Sequence, residues 1–169
     1  MEILKSIILK YSDNKIFEED LKSPSFFNRL SVKEKKYTLY EFELYKRKKV
    51  KENIKIEFSN IFTDEFSIEH IWPVNPRDLN DKLTEIHEAC VQKLGNLTLV
   101  SRSWNSNLGN KNFNEKIKRY SNSSFLIQRE LKDKKEWTQL EIQNRTQEIV
   151  DFAFEKWNYR DKPSSIIII

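Results

Sequence analysis

The sequence contains one cysteine, Cys90, and two glycines, Gly95 and Gly109, among 169 residues. A lone cysteine excludes a disulfide within the chain and a cysteine-based zinc site, which favours a reducing compartment and predicts a cytoplasmic location. With so few glycines, neither phosphate-binding motif of nucleotide-binding proteins, GxGxxG or GxxxxGK[ST], can be written anywhere in the chain. Nucleotide hydrolysis at a P-loop is therefore excluded.

Long apolar runs are missing as well. No stretch approaches the roughly 18 apolar residues that cross a bilayer, and residues 1–5 interleave acids and bases instead of opening a signal peptide. We therefore expect no membrane partner. The 30 Lys and Arg residues against 26 Asp and Glu residues give a net charge of +4 and a pI near 9.0, which permits a polyanionic partner without requiring one.

What is present predicts a mainly helical α+β chain in three regions. Residues 1–60 have the spacing of an N-terminal helical region, made of several short helices. Residues 61–122 mix strand and helix signals, and residues 123–169 predict a C-terminal helical region that packs on the middle one. Asn112 followed three residues later by Glu115 is the capping-box pattern at the start of a helix.

The stretch Ser67-Ile-Glu-His-Ile-Trp-Pro73 places a carboxylate beside an imidazole among apolar residues. Within a strand, Glu69 and His70 would face opposite sides because side chains alternate. We therefore expect this step at the end of a strand, where Pro73 cannot donate to the ladder. The other histidine, His87, is expected to be a partly exposed residue of a short helix and not a ligand.

Two asparagines follow this stretch in the order strand, loop, strand, helix. If the two strands pair as a hairpin and a helix beginning near Trp104 crosses them, Glu69, His70 and Asn105 converge in a ββα unit. The oxygens of Glu69 and Asn105 are ligands that a single Mg²⁺ or Mn²⁺ prefers. His70, with an ordinary pKa near 6.5, is then free to act as general base on a water that attacks a phosphodiester. Asn96 could bond the loop backbone, or the Nδ1–H of His70 so that Nε2 faces the water.

Three separated motifs carry a family resemblance: Ile68-Glu-His-Ile-Trp-Pro73, Leu94-Gly-Asn-Leu-Thr-Leu-Val100, and Asn110-Lys-Asn-Phe113 with Lys116 and Tyr120. In this order they resemble the HNH (His-Me finger) nuclease domain at the C-terminus of GmrSD-type modification-dependent restriction endonucleases and related phage-defence proteins. The resemblance extends over roughly residues 60–160. It implies a ββα-metal core with helical additions at both ends, occupying residues 61–122.

The resemblance also implies roles. It makes His70 the general base, Glu69 and Asn105 the metal-side residues for one Mg²⁺ or Mn²⁺, and Asn96 the asparagine that fixes the loop. It implies double-stranded DNA, modified or foreign, as substrate. It further implies a nucleotide-hydrolysing sensor domain or subunit as partner, for which this chain carries no signature. The candidate phosphate contacts, each equally compatible with ordinary surface charge, are Lys111, Lys116, Lys118, Arg119 and Arg145.

This sequence departs from the usual family motif at two positions. Trp72 stands where leucine is usual and Val74 where glutamine is usual, and both adjoin the candidate site. Two alternatives to a DNA endonuclease stay open on the sequence. One is a non-catalytic DNA-binding or assembly module that keeps the ββα shape, and the other is an RNA-cleaving toxin.

Overall fold

Helices dominate the fold, and a short pair of strands lies between them. The computed structural model describes residues 19, 22–23, 30–53, 57–77 and 79–157. The helices predicted within residues 1–29 lie largely outside these ranges. The described helices are α1 (Val32–Val50), α2 (Phe58–Ile61), α3 (Asp81–Cys90), α4 (Arg102–Leu108), α5 (Phe113–Tyr120), α6 (Leu126–Arg129) and α7 (Gln139–Trp157). The strands are β1 (Phe66–His70) and β2 (Leu97–Ser101), and short 3₁₀ helices cover Leu94–Asn96 and Glu130–Asp133.

The predicted mainly helical α+β class is confirmed by these elements. The capping box at Asn112 is confirmed too, because its side chain accepts from the Glu115 amide at 3.0 Å while the Glu115 carboxylate accepts from the Asn112 amide at 3.1 Å. Within the described ranges, every helix is too short or too polar to cross a membrane.

The two strands pair antiparallel, with Phe66 opposite Ser101 and His70 opposite Leu97. The pairing continues to the last residue of β1, so side chains alternate along its whole length. Ser67 and Glu69 therefore share one face of the strand pair, and His70 belongs to the other face. Helix α4 begins directly after β2 and packs on both strands.

Each face of the strand pair is covered by its own apolar cluster. The first core cluster joins β2 to α1 and the C-terminal half of α7, and its members include Leu39, Phe42, Leu97, Leu99, Phe125, Ile127, Ile149 and Phe152. The second core cluster joins the other face to α3, α4 and α5, and it consists of Ile71, Cys90, Val100, Leu108, Phe113, Tyr120, Leu131, Trp137 and Ile142. The strand pair is thus held on both sides by helices.

A buried carboxylate ties α1 to α6. Glu43 accepts hydrogen bonds from the backbone amides of Leu126 and Ile127, at 2.8 and 2.9 Å. These amides open α6, where unpaired N–H groups favour a negative charge. Arg47 donates from Nε to the same carboxylate at 2.5 Å. Residues far apart in sequence are therefore joined through a fully buried acid.

Gly95 lies closer to α7 than any side chain would allow. A Cβ at this position would fall 2.1 Å from the Ile142 carbonyl oxygen and 2.6 Å from the Thr146 hydroxyl. We expect Gly95→Ala to lower the free energy of unfolding by about 3 kcal/mol, because the α7 backbone must move away from the loop. Urea unfolding followed by circular dichroism measures this change. A loss below about 1 kcal/mol would show that α7 moves without cost.

Candidate active site

Glu69 lies near the end of β1 with its carboxylate turned toward α5. The side chain is buried, and Oε1 accepts a hydrogen bond from the Lys116 ammonium at 2.5 Å. The same ammonium donates to the His70 carbonyl oxygen at 2.6 Å. Lys116 is 0% exposed, so this ion pair lies wholly inside the protein.

Burial dominates the electrostatics of this pair. It raises the pKa of Glu69 above its ordinary value and lowers the pKa of Lys116. The attraction between carboxylate and ammonium opposes both shifts. Each group therefore depends on the other to stay charged in the interior.

His70 is the last residue of β1, as the sequence predicted, and its ring turns toward Gln92. Nε2 lies 3.3 Å from the Gln92 side-chain oxygen. An amide oxygen only accepts hydrogen bonds, so this contact assigns the ring proton to Nε2 and leaves Nδ1 as the basic nitrogen. Burial lowers the pKa of His70, so the ring is neutral at neutral pH. A neutral imidazole with one free nitrogen can accept a proton.

Asn96 uses its whole side chain to hold a loop. Oδ1 accepts from the Trp72 amide at 2.7 Å and from the Trp137 indole N–H at 3.0 Å. Nδ2 donates to the carbonyls of Trp72 and Val91, at 3.0 and 2.9 Å. Of the two roles left open by the sequence, the side chain adopts the bond to the loop backbone. The expectation that His70 Nε2 faces the water is therefore corrected, because that nitrogen contacts Gln92 instead.

Asn105 lies on α4, above β1. Its Nδ2 donates to the Ser67 hydroxyl at 2.8 Å, and Ser67 shares a face of the strand with Glu69. The structure therefore brings Asn105 and Glu69 to one face. It does not bring the His70 ring into hydrogen-bonding contact with either one among the described residues.

Two of the predicted phosphate contacts are wrong. Lys116 is enclosed by the site itself, and Arg145 is buried with Nη1 donating to the Gly95 and Leu97 carbonyls, both at 2.7 Å. Burial lowers the pKa of Arg145 to about 10. Neither cation can reach a phosphate, because each is held inside by backbone or carboxylate oxygens.

The remaining predicted contacts, Lys111, Lys118 and Arg119, are exposed. The guanidinium carbon of Arg119 lies 5.9 Å from the centre of the Trp104 ring, on the side of α4 and α5. These exposed cations remain candidates for contact with a polyanion.

The expected exposure of His87 is also wrong. Its side chain is buried, Nε2 lies 2.9 Å from the Pro73 carbonyl oxygen, and the ring meets Trp72 edge-on with centres 5.1 Å apart. The histidine packs beneath the loop that follows β1. It therefore packs against Trp72, one of the two residues that depart from the usual family motif.

A cleft of about 570 Å³ opens beside this loop, immediately after His70. It combines aromatic and proline surfaces with exposed polar side chains. Its lining residues include Trp72, Pro73, Arg77, Asn110, Phe113, Asn114 and Trp137. The cleft gives solvent access to the loop that Asn96 holds.

Sequence reasoning missed the partners of both central residues. Lys116 lies three positions after Phe113 and four before Tyr120, on the apolar stripe of α5, and that spacing was a usable signal of burial. Gln92 has no comparable signal, since it follows α3 in a turn.

The donor chemistry of the site suits a hard divalent ion. Within the described ranges, no group of three or more His, Cys, Asp or Glu side chains could hold a metal. Glu69 and Asn105 offer one carboxylate and one amide oxygen on the same strand face, which fits Mg²⁺ or Mn²⁺ better than a softer metal. Such a site would have two protein ligands, of which only the Glu69 carboxylate is charged.

Residues 11–152 match the model of the family described as GmrSD restriction endonucleases, C-terminal domain. No curated protein and no solved structure matched. The match covers most of the chain, including both strands, and it confirms the family that the three motifs indicated. The chain belongs to the family of C-terminal domains of GmrSD restriction endonucleases.

Proposed function

We propose that this domain is a divalent-metal-dependent HNH endonuclease that hydrolyses DNA phosphodiester bonds within a modification-dependent restriction or phage-defence system. The family, a nuclease domain of restriction endonucleases, supports the reaction class. The observation that carries the proposal is the arrangement of the site. Glu69 and Asn105 lie on one face of the antiparallel strand pair, His70 is the last residue of β1, and β2 leads directly into α4. This order of strand, loop, strand and helix supports the proposed ββα-metal core.

His70 acts as the general base in this proposal. Its lowered pKa keeps the ring neutral, and Gln92 holds the proton on Nε2 so that Nδ1 is available. Nδ1 takes a proton from water as the water oxygen attacks phosphorus, a role that contributes about 10²- to 10⁴-fold in rate. The P–O3′ bond then breaks, which leaves a 5′-phosphate and a 3′-oxygen that takes a proton from solvent.

Glu69 and Asn105 would hold a single Mg²⁺ or Mn²⁺. When bound, the ion would supply charge stabilisation for the phosphate and the leaving oxygen. Asn96 keeps the loop after β1 in place by bonding Trp72 on both sides of its backbone. Lys111 and Arg119 are exposed and would contact phosphates of double-stranded DNA, modified or foreign. A nucleotide-hydrolysing sensor domain or subunit would decide when the nuclease acts.

Removing divalent metal will stop cleavage. Supercoiled plasmid incubated with the chain and Mn²⁺ or Mg²⁺ should become nicked or linear, whereas excess EDTA should leave it supercoiled because two protein ligands hold the ion weakly. Added Mn²⁺ should restore cleavage. The gel assay needs a parallel reaction with RNA, since cleavage of RNA in place of DNA would favour a toxin.

One observation favours a non-catalytic DNA-binding module. The Glu69 carboxylate is already paired with Lys116 at 2.5 Å. In a binding module this pair would be purely structural and the plasmid would stay supercoiled at high protein concentration, while gel retardation would still show a complex. Cleavage that depends on metal and on Glu69 excludes this reading, and Glu85→Gln, an exposed acid on α3, is the matched control for Glu69→Gln.

A further inference from the structure

The ammonium of Lys116 is held from two sides by the residues that carry the proposed chemistry. It donates to the Glu69 carboxylate at 2.5 Å and to the His70 carbonyl oxygen at 2.6 Å. Lysine is almost never fully buried unless it is paired, and here the pair lies under the Glu-His step itself. Phe113 and Tyr120, on the same helix, belong to the second core cluster.

Packing alone does not explain this ammonium. Burying a charge costs several kcal/mol, and well-packed apolar residues of similar volume often replace a buried ion pair without loss of stability. What the ammonium provides, and an apolar side chain would not, is a link between a side chain and the backbone of the next residue. That link joins Glu69, the proposed metal ligand, to His70, the proposed base.

Other hydrogen bonds hold the chain just beyond this link. Ile71 donates from its amide to the Asn96 carbonyl at 2.8 Å, and Trp72 donates to the Asn96 side chain. These bonds hold the loop that follows, and the Lys116 bonds hold the two residues that precede it. The Glu69 carboxylate and the His70 backbone are therefore oriented together by the Lys116 ammonium.

We propose that Lys116 is a positioning residue of the nuclease, an inference that rests on the proposed function. The ammonium holds the Glu69 carboxylate and the His70 backbone in one hydrogen-bonded unit. The proposed metal ligand Glu69 and the backbone of the proposed base His70 are thereby kept in a fixed geometry relative to each other. Lys116 itself touches neither DNA nor water, since it is fully buried.

The test compares three variants of the full chain. Lys116→Met keeps the length of the side chain without donors, Lys116→Gln keeps a donor without charge, and Lys82→Met removes an exposed lysine on α3 as a control. Mn²⁺ binding is measured without DNA by electron paramagnetic resonance. Steady-state cleavage gives kcat and KM, and hydrogen exchange reports the amides of Ser67, Ile71 and Trp72.

Loss of an outer contact of this kind costs about 10- to 100-fold in metal affinity or activity. For Lys116→Met we expect a fall of that size in kcat and in Mn²⁺ affinity, with KM nearly unchanged. Exchange should accelerate at Ile71 and Trp72 and stay unchanged at Ser67, which pairs with Val100 of β2. Lys116→Gln should recover part of the loss, and Lys82→Met should behave as wild type.

Several results would overturn the proposal. Full activity of a folded Lys116→Met would show that the ammonium has no role in the reaction. Tighter Mn²⁺ binding by this variant would show that the ammonium competes with the ion for Glu69. Faster exchange throughout the chain, or failure of both Lys116 variants to fold, would assign it a structural role only. A wild-type chain that neither binds Mn²⁺ nor cleaves DNA would instead refute the nuclease proposal, and this inference with it.

Discussion

Replacing His70 with alanine will reduce DNA cleavage by about 10²- to 10⁴-fold while leaving DNA binding in place. The ring is neutral because burial lowers its pKa, and its contact with Gln92 leaves Nδ1 free to accept a proton. Alanine removes that nitrogen but keeps the His70 carbonyl oxygen, which accepts the hydrogen bond from Lys116.

Single-turnover cleavage of a labelled duplex measures the loss, and gel retardation in EDTA measures binding. Gln143→Ala, at an exposed position of α7, serves as the control and should cleave at the wild-type rate. An alanine variant that retains wild-type cleavage would show that another group removes the proton.

Replacing Asn96 with alanine will destabilise the whole domain by about 4 kcal/mol or more. The variant leaves two N–H groups and two carbonyl groups without the partner they share in the interior. Each unpaired buried group costs about 1–3 kcal/mol. At about 2–4 °C per kcal/mol for a chain of this size, the melting temperature should fall by roughly 10 °C.

Thermal unfolding by calorimetry, together with urea titration, tests this expectation. Asn114→Ala, which truncates an exposed asparagine near the cleft, should change the melting temperature little. Asn96→Asp keeps the acceptor for Trp72 and Trp137 but sets a carboxylate against two carbonyls, so it should also destabilise. A loss below about 1 kcal/mol for Asn96→Ala would mean that water replaces the amide.

Local patterns in the sequence were sufficient to predict several parts of the site. Alternation and Pro73 predicted that β1 ends at the Glu-His step, and the structure ends it at His70. The capping box predicted the start of α5 at Asn112. These features depend on neighbours within a few residues, so short windows of sequence contain the physical cause.

Burial of polar side chains could not be predicted in the same way. Lys116, Arg145 and His87 each lie on the apolar stripe of a helix, yet their residue types favour the surface. Their burial depends on partners supplied by other segments. The Lys116–Glu69 bond spans 47 positions, and the Arg145 bonds to Gly95 and Leu97 span 50 and 48. A helical stripe indicates which side faces inward, but only the folded chain supplies the compensating oxygen.

The bond between Glu43 and the first amides of α6 also bears on how this nuclease could be engineered. Glu43 belongs to the predicted N-terminal region, and Leu126 and Ile127 belong to the predicted C-terminal region. A graft that transferred residues 61–122 alone into another protein would discard both ends of this connection and uncover the first core cluster. Residues 61–122 are therefore not a unit that can be transferred alone, and a working chimera must include the helical regions on both sides of them.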